Sequence, residues 1–335
     1  MAAEVKRINN VLDEIILKNE YLEVHTLNLG CTITKILVKD KHHNLQDVVL
    51  GYDDYSDYLK YDGYLGALVG RVANRIGKGQ FTLNNRQYHL AINNGPNTLH
   101  GGIHGFSYRL FNYKIEDDSV IFTYLSPDGE ENFPGNLLMR TTYRLNKETL
   151  EISYQASGDQ DTLINITNHS YFNLDGIPDK IDNHYLKIKS SVMAESDTNG
   201  LVTGTLTAVD GTPFDFRHET KIKDMIYQTN KQLEIGHGYD HPFIFDDSKD
   251  QVTLYSEKTG IELTVNTTYP LAQIYSANYL DGRIGKNNKP LNAGSALCIE
   301  TQYMPDSIHL EEHSKTILKK GQLYDEKTSY TFKTR

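Results

Sequence analysis

Tryptophan is absent from the chain, and cysteine nearly so. The two cysteines, Cys31 and Cys298, lie far apart in apolar stretches, which argues against a disulfide framework and fits two buried thiols in a reducing compartment. No run of 18 apolar residues occurs, so no membrane-spanning helix is expected. The opening "MAAEVKRINNVLDEIILKNEYL" lacks the continuous apolar core and small-residue cleavage pattern of a secretory leader, and a cytoplasmic location is expected. Positive charge is also short. A formal net charge of −10 disfavours nucleic acid and anionic membrane as partners. No fixed-period repeat, low-complexity tract or Pro/Ser-rich linker interrupts the 335 residues, so one domain over residues 1–335 is expected, large enough to bury its own core.

What the chain does have is alternation with period two. In "LEISYQA", Leu150, Ile152, Tyr154 and Ala156 share one face, and Glu151, Ser153 and Gln155 the other. "VIFTYL", "LLMRTTYRL" and "LEISYQA" follow one another, the last two joined by "NKET", which reads as an antiparallel meander with a short hairpin. Similar runs are "GCTITKILV", "GQFTLNNRQYHL", "HYLKIKSSV", "QVTLYSEKTGIELTV" and "YTFKTR". Helix is expected only as a turn or two near "DYSDYL" and "KDMIYQTNKQLE". Many strands and few helices predict an all-β fold, two packed antiparallel sheets in a large sandwich, with one outer concave face left for a ligand.

Two segments carry candidate chemistry. In "ITNHSYFNL", Asn165, Thr167, His169, Tyr171 and Asn173 make a polar strand face without a single charge. His169 reads either as a structural histidine held by hydrogen bonds or as an acid–base group titrating near neutrality, among neighbours suited to a neutral polyhydroxy ligand. In "ALCIETQYMP", Cys298, Glu300 and Gln302 share a face, and Pro305 ends the strand. Glu300 is either a solvated edge carboxylate or, since Ala296 and Cys298 shield that face, a desolvated one with a raised pKa and so a better base. Arg71 and Arg75 lie four apart in an apolar run, where at least one must be buried and paired. The glycines of "GALVGRVANRIGKGQF" fit no phosphate-cradling spacing. His100 and His104 are separated by Gly101 and Gly102, and "HGYDHPF" has the same defect, so no metal ligand set is expected.

Together these strings resemble the galactose mutarotase (aldose 1-epimerase) family over nearly the whole chain, in the order "GCTITKILVKD", "DVVLGYDDYSDYL", "GRVANRIGKGQF", "NTLHGG", "SPDGEENFPG", "NHSYFNL", "TPFDFR", "GYDHPF", "IYSANYLDG" and "CIETQYMPDS". The resemblance implies an extended antiparallel β-sandwich with an open sugar-binding cleft. It implies interconversion of α and β anomers of aldohexoses such as D-galactose and D-glucose, without cofactor or metal. Glu300 in "IETQ" then matches the general base and His169 the general acid, ionised and protonated respectively in the resting enzyme. Asn74 and Arg75 in "ANRI", His100 in "LHGG", Asp240 in "GYDH" and Gln273 in "AQIY" match sugar-binding positions. Two departures stand out. Asn132 replaces a usual glycine, and "YMPDS" replaces "NFPD" or "NWPD" just past Glu300, where it is expected at the cleft rim. The implied partner is the small sugar alone, bound by a monomer or homodimer. The alternatives are a hexose-6-phosphate epimerase, which would need a basic cluster in the cleft, and a non-catalytic sugar-binding module, which would not need both Glu300 and His169.

Overall fold

A computed structural model describes residues 2–310 and 314–335. The alternating segments form the strands expected of them. A nine-stranded antiparallel sheet runs in the order Asn112–Glu116, Ser119–Ser126, Leu137–Asn146, Thr149–Gly158, Leu323–Thr334, Ile261–Thr267, Val252–Ser256, His184–Ile188 and Thr220–Lys221. Leu150, Ile152, Tyr154 and Ala156 are all buried on its inner face, as their spacing predicts. The hairpin closes with Asn146 opposite Thr149. The C-terminal strand Leu323–Thr334 lies in the middle of this sheet, between Thr149–Gly158 and Ile261–Thr267, and so ties the end of the chain to its centre. Among the described residues, helices are confined to Asp57–Lys60, Ile222–Ile226, Lys231–Gly236 and short 3₁₀ turns.

A six-stranded sheet lies against the large one, in the order Tyr171–Phe172, Leu297–Gln302, Leu271–Tyr275, Asp240–Ile244, Val192–Ser196 and Val202–Ala208. Its inward residues Phe172, Ile274, Leu297 and Ile299 join Ile152, Tyr154, Val265 and Tyr330 of the nine-stranded sheet in one apolar cluster. Phe172 packs on Tyr330 with ring centroids 5.2 Å apart. Two sheets stacked this way are a β-sandwich. A five-stranded sheet over residues 2–47 adds Ile15, Val24, Ile33 and Ile36 to the same cluster.

Asn132, the departure from the family glycine, sits at φ 66, in the left-handed region that asparagine tolerates best among residues with a side chain. The 3₁₀ turn Glu130–Asn132 therefore keeps the conformation that glycine would supply. Core packing makes one quantitative demand. Ile152→Ala, which empties a fully buried side chain between the sheets, is expected to lower unfolding free energy by about 2–5 kcal/mol. Urea denaturation checks this, and a loss below about 0.5 kcal/mol would show that Ile152 is not a core residue.

Candidate active site

The outward face of the six-stranded sheet supplies the floor of the site. Directly paired residues of adjacent strands point the same way. Tyr171 pairs with Cys298, Cys298 with Tyr275, and Tyr275 with Asp240, making one transverse row. Glu300 pairs with Gln273 in the next row. Leu297 and Ile299 take the other face, so the six residues from Leu297 to Gln302 are all buried. Glu300 is 2% exposed. Gln273 Nε2 donates to Asp240 Oδ1 at 2.7 Å, and this bond fixes the carboxylate at the row's end. Gln273 does not itself line the cleft; it underlies Asp240, so it reads as that residue's support rather than as the direct sugar contact expected.

The segment around His169 is not one strand. Thr167–Asn168 pairs with Leu68–Val69, while Tyr171–Phe172 pairs with the glutamate strand. Between them Asn168 Oδ1 accepts from the Ser170 amide at 3.1 Å and from the Ser170 hydroxyl at 2.7 Å, a side-chain turn that bends the chain. The expectation of a continuous polar face therefore fails at three positions. Asn165 bonds both main-chain groups of Tyr303, Asn173 donates to the carbonyls of Asp179 and Ser295, and Thr167 is buried. His169 and Tyr171 do line the cleft.

The facing wall comes from a second strand pair, with Leu99 opposite Arg75. Asn74 and His100 flank it, at φ 62 and 53. The Asn74 amide donates to His100 Nδ1 at 3.1 Å, and the His100 amide donates to the Asn74 carbonyl at 3.0 Å. Nδ1 is thus an acceptor, so a neutral His100 carries its proton on Nε2. Gly101 follows because a Cβ there would lie 2.1 Å from the Gly70 carbonyl oxygen. Arg75 Nε donates to Asn94 Oδ1 at 2.9 Å, and its Nη1 lies 3.9 Å from Asp240 Oδ2. Arg71 points elsewhere, donating to carbonyls of Ser126, Pro127, Pro134 and Gly135 and to the hydroxyls of Ser126 and Thr162. Both arginines are buried, and Arg75 is the one in the cleft.

Asn74, Arg75, His100, His169, Asp240 and Glu300 therefore share one cleft of about 480 Å³. His169 Nε2 and Glu300 Oε1 are 3.5 Å apart, too far for a strong hydrogen bond. His169 Nδ1, Glu300 Oε2 and Gln273 Oε1 are buried without hydrogen-bond partners. Burial dominates the titration of this pair. It lowers His169 to about 4. It also raises Glu300 well above the ordinary carboxylate range, with Asp240 adding to the rise and Arg75 opposing it. The free site thus favours a neutral imidazole beside a protonated carboxyl, the reverse of the expected ionised Glu300 and protonated His169, because neither charge is hydrated. Burial, His169 and Arg75 likewise hold His100 well below its usual pKa.

Ligand atoms of His100, His169 and Glu300 lie within 4.8 Å of one another, a grouping that sequence spacing could not reveal because it joins three separate segments. The donor chemistry fits a metal poorly. A metal-bound histidine donates its second ring N–H, whereas His100 accepts at Nδ1 and His169 Nδ1 has no partner. His104 and His241 are not in the cleft; His241 is buried, with Nδ1 accepting from the Asp240 amide.

Sequence reasoning missed several cleft residues. Tyr64, Tyr275, Tyr279 and Arg283 line it. Gly200, at φ +73, lies so close that a Cβ would fall 2.6 Å from Arg75 Cζ. The "YMPDS" stretch does not line the cleft: Met304 packs with Ala194, Val202 and Leu271, and Asp306 accepts from the Gly77 amide.

Residues 13–331 match the aldose 1-epimerase family model. A galactose mutarotase of Bos taurus is 40% identical over 324 residues, covering 94% of this chain and 92% of the bovine one. An aldose 1-epimerase of Escherichia coli (strain K12) is 32% identical over 322 residues, covering 94% of this chain and 93% of the bacterial one. Among solved structures, an aldose epimerase homologue from C. elegans superposes with a TM-score of 0.90 at 30% identity, over 99% of each chain.

Two outcomes follow from this geometry. Gly200→Ala forces the Arg75 guanidinium to move and puts a Cβ on a left-handed residue, so sugar KM is expected to rise about ten-fold and the melting temperature to fall; an unchanged KM would contradict the contact. The raised pKa of Glu300 means the native state holds that proton more tightly than the unfolded chain. Stability therefore falls as pH rises from about 4.3 towards the folded-state value. Glu300→Gln removes this cost, and its melting temperature relative to wild type is expected to improve steadily as pH is raised through that window. A gap independent of pH would contradict it.

Proposed function

The chain belongs to the aldose 1-epimerase family, and we propose that it interconverts the α and β anomers of aldohexoses, D-galactose and D-glucose among them, with Glu300 as base and His169 as acid. The observation that carries the assignment is the separation of His169 Nε2 and Glu300 Oε1, 3.5 Å on the cleft floor. The two oxygens that must exchange protons in ring opening are both bonded to C1, so the groups serving them must also be close neighbours.

Opening proceeds from an ionised Glu300 and a protonated His169. Glu300 takes the C1-hydroxyl proton as His169 gives one to the ring oxygen. The C1–O5 bond breaks, leaving an open-chain aldehyde, a protonated carboxyl and a neutral imidazole. Rotation about C1–C2 presents the other carbonyl face. Closure returns the C5-hydroxyl proton to His169 and the Glu300 proton to O1, and the site recovers its starting state. One proton shuttles within the pair, so no net proton is exchanged. Desolvation favours the neutral pair that accompanies the open chain and disfavours the ionised pair that starts the step, so contacts with the bound sugar must offset the cost of forming that ionised pair. His100 presents a fixed Nε2–H donor, Asp240 an acceptor and Arg75 a fork of donors, all suited to orienting sugar hydroxyls.

The charge of the cleft supports a neutral sugar over a hexose 6-phosphate. Arg75 and Arg283 are its arginines, and Asp62 and Asp240 balance them, so no basic cluster is left for a phosphate. Arg283 is already held by Asp281 and Asp62. A binding-only module would have no use for a carboxylate and an imidazole buried at this expense in solvation. We also read residues 1–335 as one domain, since the last strand lies inside the largest sheet. The free, buried Cys31 and Cys298 support a reducing, cytoplasmic setting.

Polarimetry on freshly dissolved α-D-galactose tests the assignment. Glu300→Gln and His169→Asn are each expected to slow mutarotation by about 10²- to 10⁴-fold. The wild-type profile of kcat/KM should fall below about pH 4, where His169 gains a second proton for the pair, and on the alkaline side should fall only above the ordinary carboxylate range, where Glu300 loses the last one. Full activity in either variant would remove that residue from the mechanism.

A further inference from the structure

His169 is 4% exposed, and its Nδ1 is buried without a hydrogen-bond partner. A histidine acting as acid or base is ordinarily held by a carboxylate or carbonyl at its second nitrogen. Here that nitrogen makes no well-formed bond, the ring's own main-chain carbonyl only favours its protonated form, and rings supply the packing. Tyr171 stacks on the imidazole at a centroid distance of 5.0 Å and an interplanar angle of 20°. Tyr64 stacks at 6.1 Å and 27°. His100 and Tyr275 meet it edge-on at 5.4 Å and 6.1 Å. The stacking rings are themselves anchored. Tyr171 donates its hydroxyl to the Gly63 carbonyl at 2.8 Å, and Tyr64 packs edge-on against His100 at 4.6 Å.

We propose that Tyr64 and Tyr171 are positioning residues for the acid: their stacked rings orient the His169 imidazole in place of a hydrogen bond and stabilise its protonated form during turnover. This rests on reading His169 as the acid. An aromatic face attracts a cation, most strongly where water is excluded, and that attraction opposes the desolvation that otherwise keeps the imidazole neutral. The remaining titratable neighbours cannot take this part. Glu300 at 3.5 Å is the proton's other holder, His100 is neutral, and Tyr275 stands at 80° to the imidazole rather than stacked on it. Asp240 and Arg75 act on Glu300 and His100. The sequence places His169 and Tyr171 two residues apart, and the bend at Asn168 and Ser170 keeps both in the cleft.

The test uses Tyr171→Leu and Tyr64→Leu beside Tyr171→Phe and Tyr64→Phe. Loss of a ring is expected to lower kcat about ten-fold, with KM for galactose within about two-fold of wild type. The acid limb of kcat/KM should move about one pH unit lower, because His169 then gains its second proton less readily. Phenylalanine keeps the ring and should restore both readouts. Imidazole NMR of His169 should show the same displacement in the leucine variants and its recovery in the phenylalanine ones. Folded leucine variants with wild-type kcat and an unmoved limb would overturn the proposal, as would phenylalanine variants as impaired as the leucine ones. Tyr171 is buried, so should its leucine variant not fold, the half-buried Tyr64 decides. If wild type mutarotates neither galactose nor glucose, the functional reading fails, while the NMR titrations still decide the stacking.

Discussion

A carboxylate is held away from water by a strand that is buried on both faces, and the site depends on that constraint. Along Leu297–Gln302, alternate side chains enter the apolar layer between the sheets or turn under the cleft. The apolar half cannot shift register without exposing Leu297 and Ile299, and a one-residue slip would put Glu300 into the core. Packing therefore fixes the carboxyl's position more firmly than any bond it makes. Its Oε2 has no partner at all.

The chemistry follows from that isolation. An acid and a base in water would both be charged near neutrality and would hydrate rather than react. Under the cleft each is pushed towards neutrality, so the neutral form of the pair becomes the favoured one. On the proposed mechanism a single proton then moves between Glu300 and His169 by way of the sugar. Asp240 and Arg75 bias Glu300 in opposite directions while also facing the ligand. The His100 tautomer is fixed by main-chain geometry, which removes it as a competing base and leaves it a permanent donor.

Much of this was legible in the sequence. Period-two spacing located the sandwich strands, and the shielding of "ALCIE" offered a desolvated Glu300 as one of two readings. Order and spacing of the strings carried the family resemblance. Other features were not legible, for physical reasons. The bend at Asn168 and Ser170 is a side-chain turn inside a segment whose alternation otherwise reads as a strand, so Asn165, Thr167 and Asn173 looked like cleft residues. Gln273 shares a face with Glu300, yet whether it touches the cleft or underlies Asp240 depends on strand pairing that alternation does not specify. Tyr64 and Gly200 act through contacts between distant segments. Nothing in their local sequence marks them.

The stacking of Tyr64 and Tyr171 completes the picture of a histidine governed by its surroundings rather than by a relay partner. The central claim is that Glu300 remains protonated where an ordinary carboxylate has ionised. Carbon-13 NMR of the glutamate carboxyls, with Glu300→Gln used to assign the resonance, measures this directly. The account predicts that the Glu300 signal stays in its protonated position as pH rises through about 4.3 and titrates only well above it. Titration of that signal near 4.3 would contradict it.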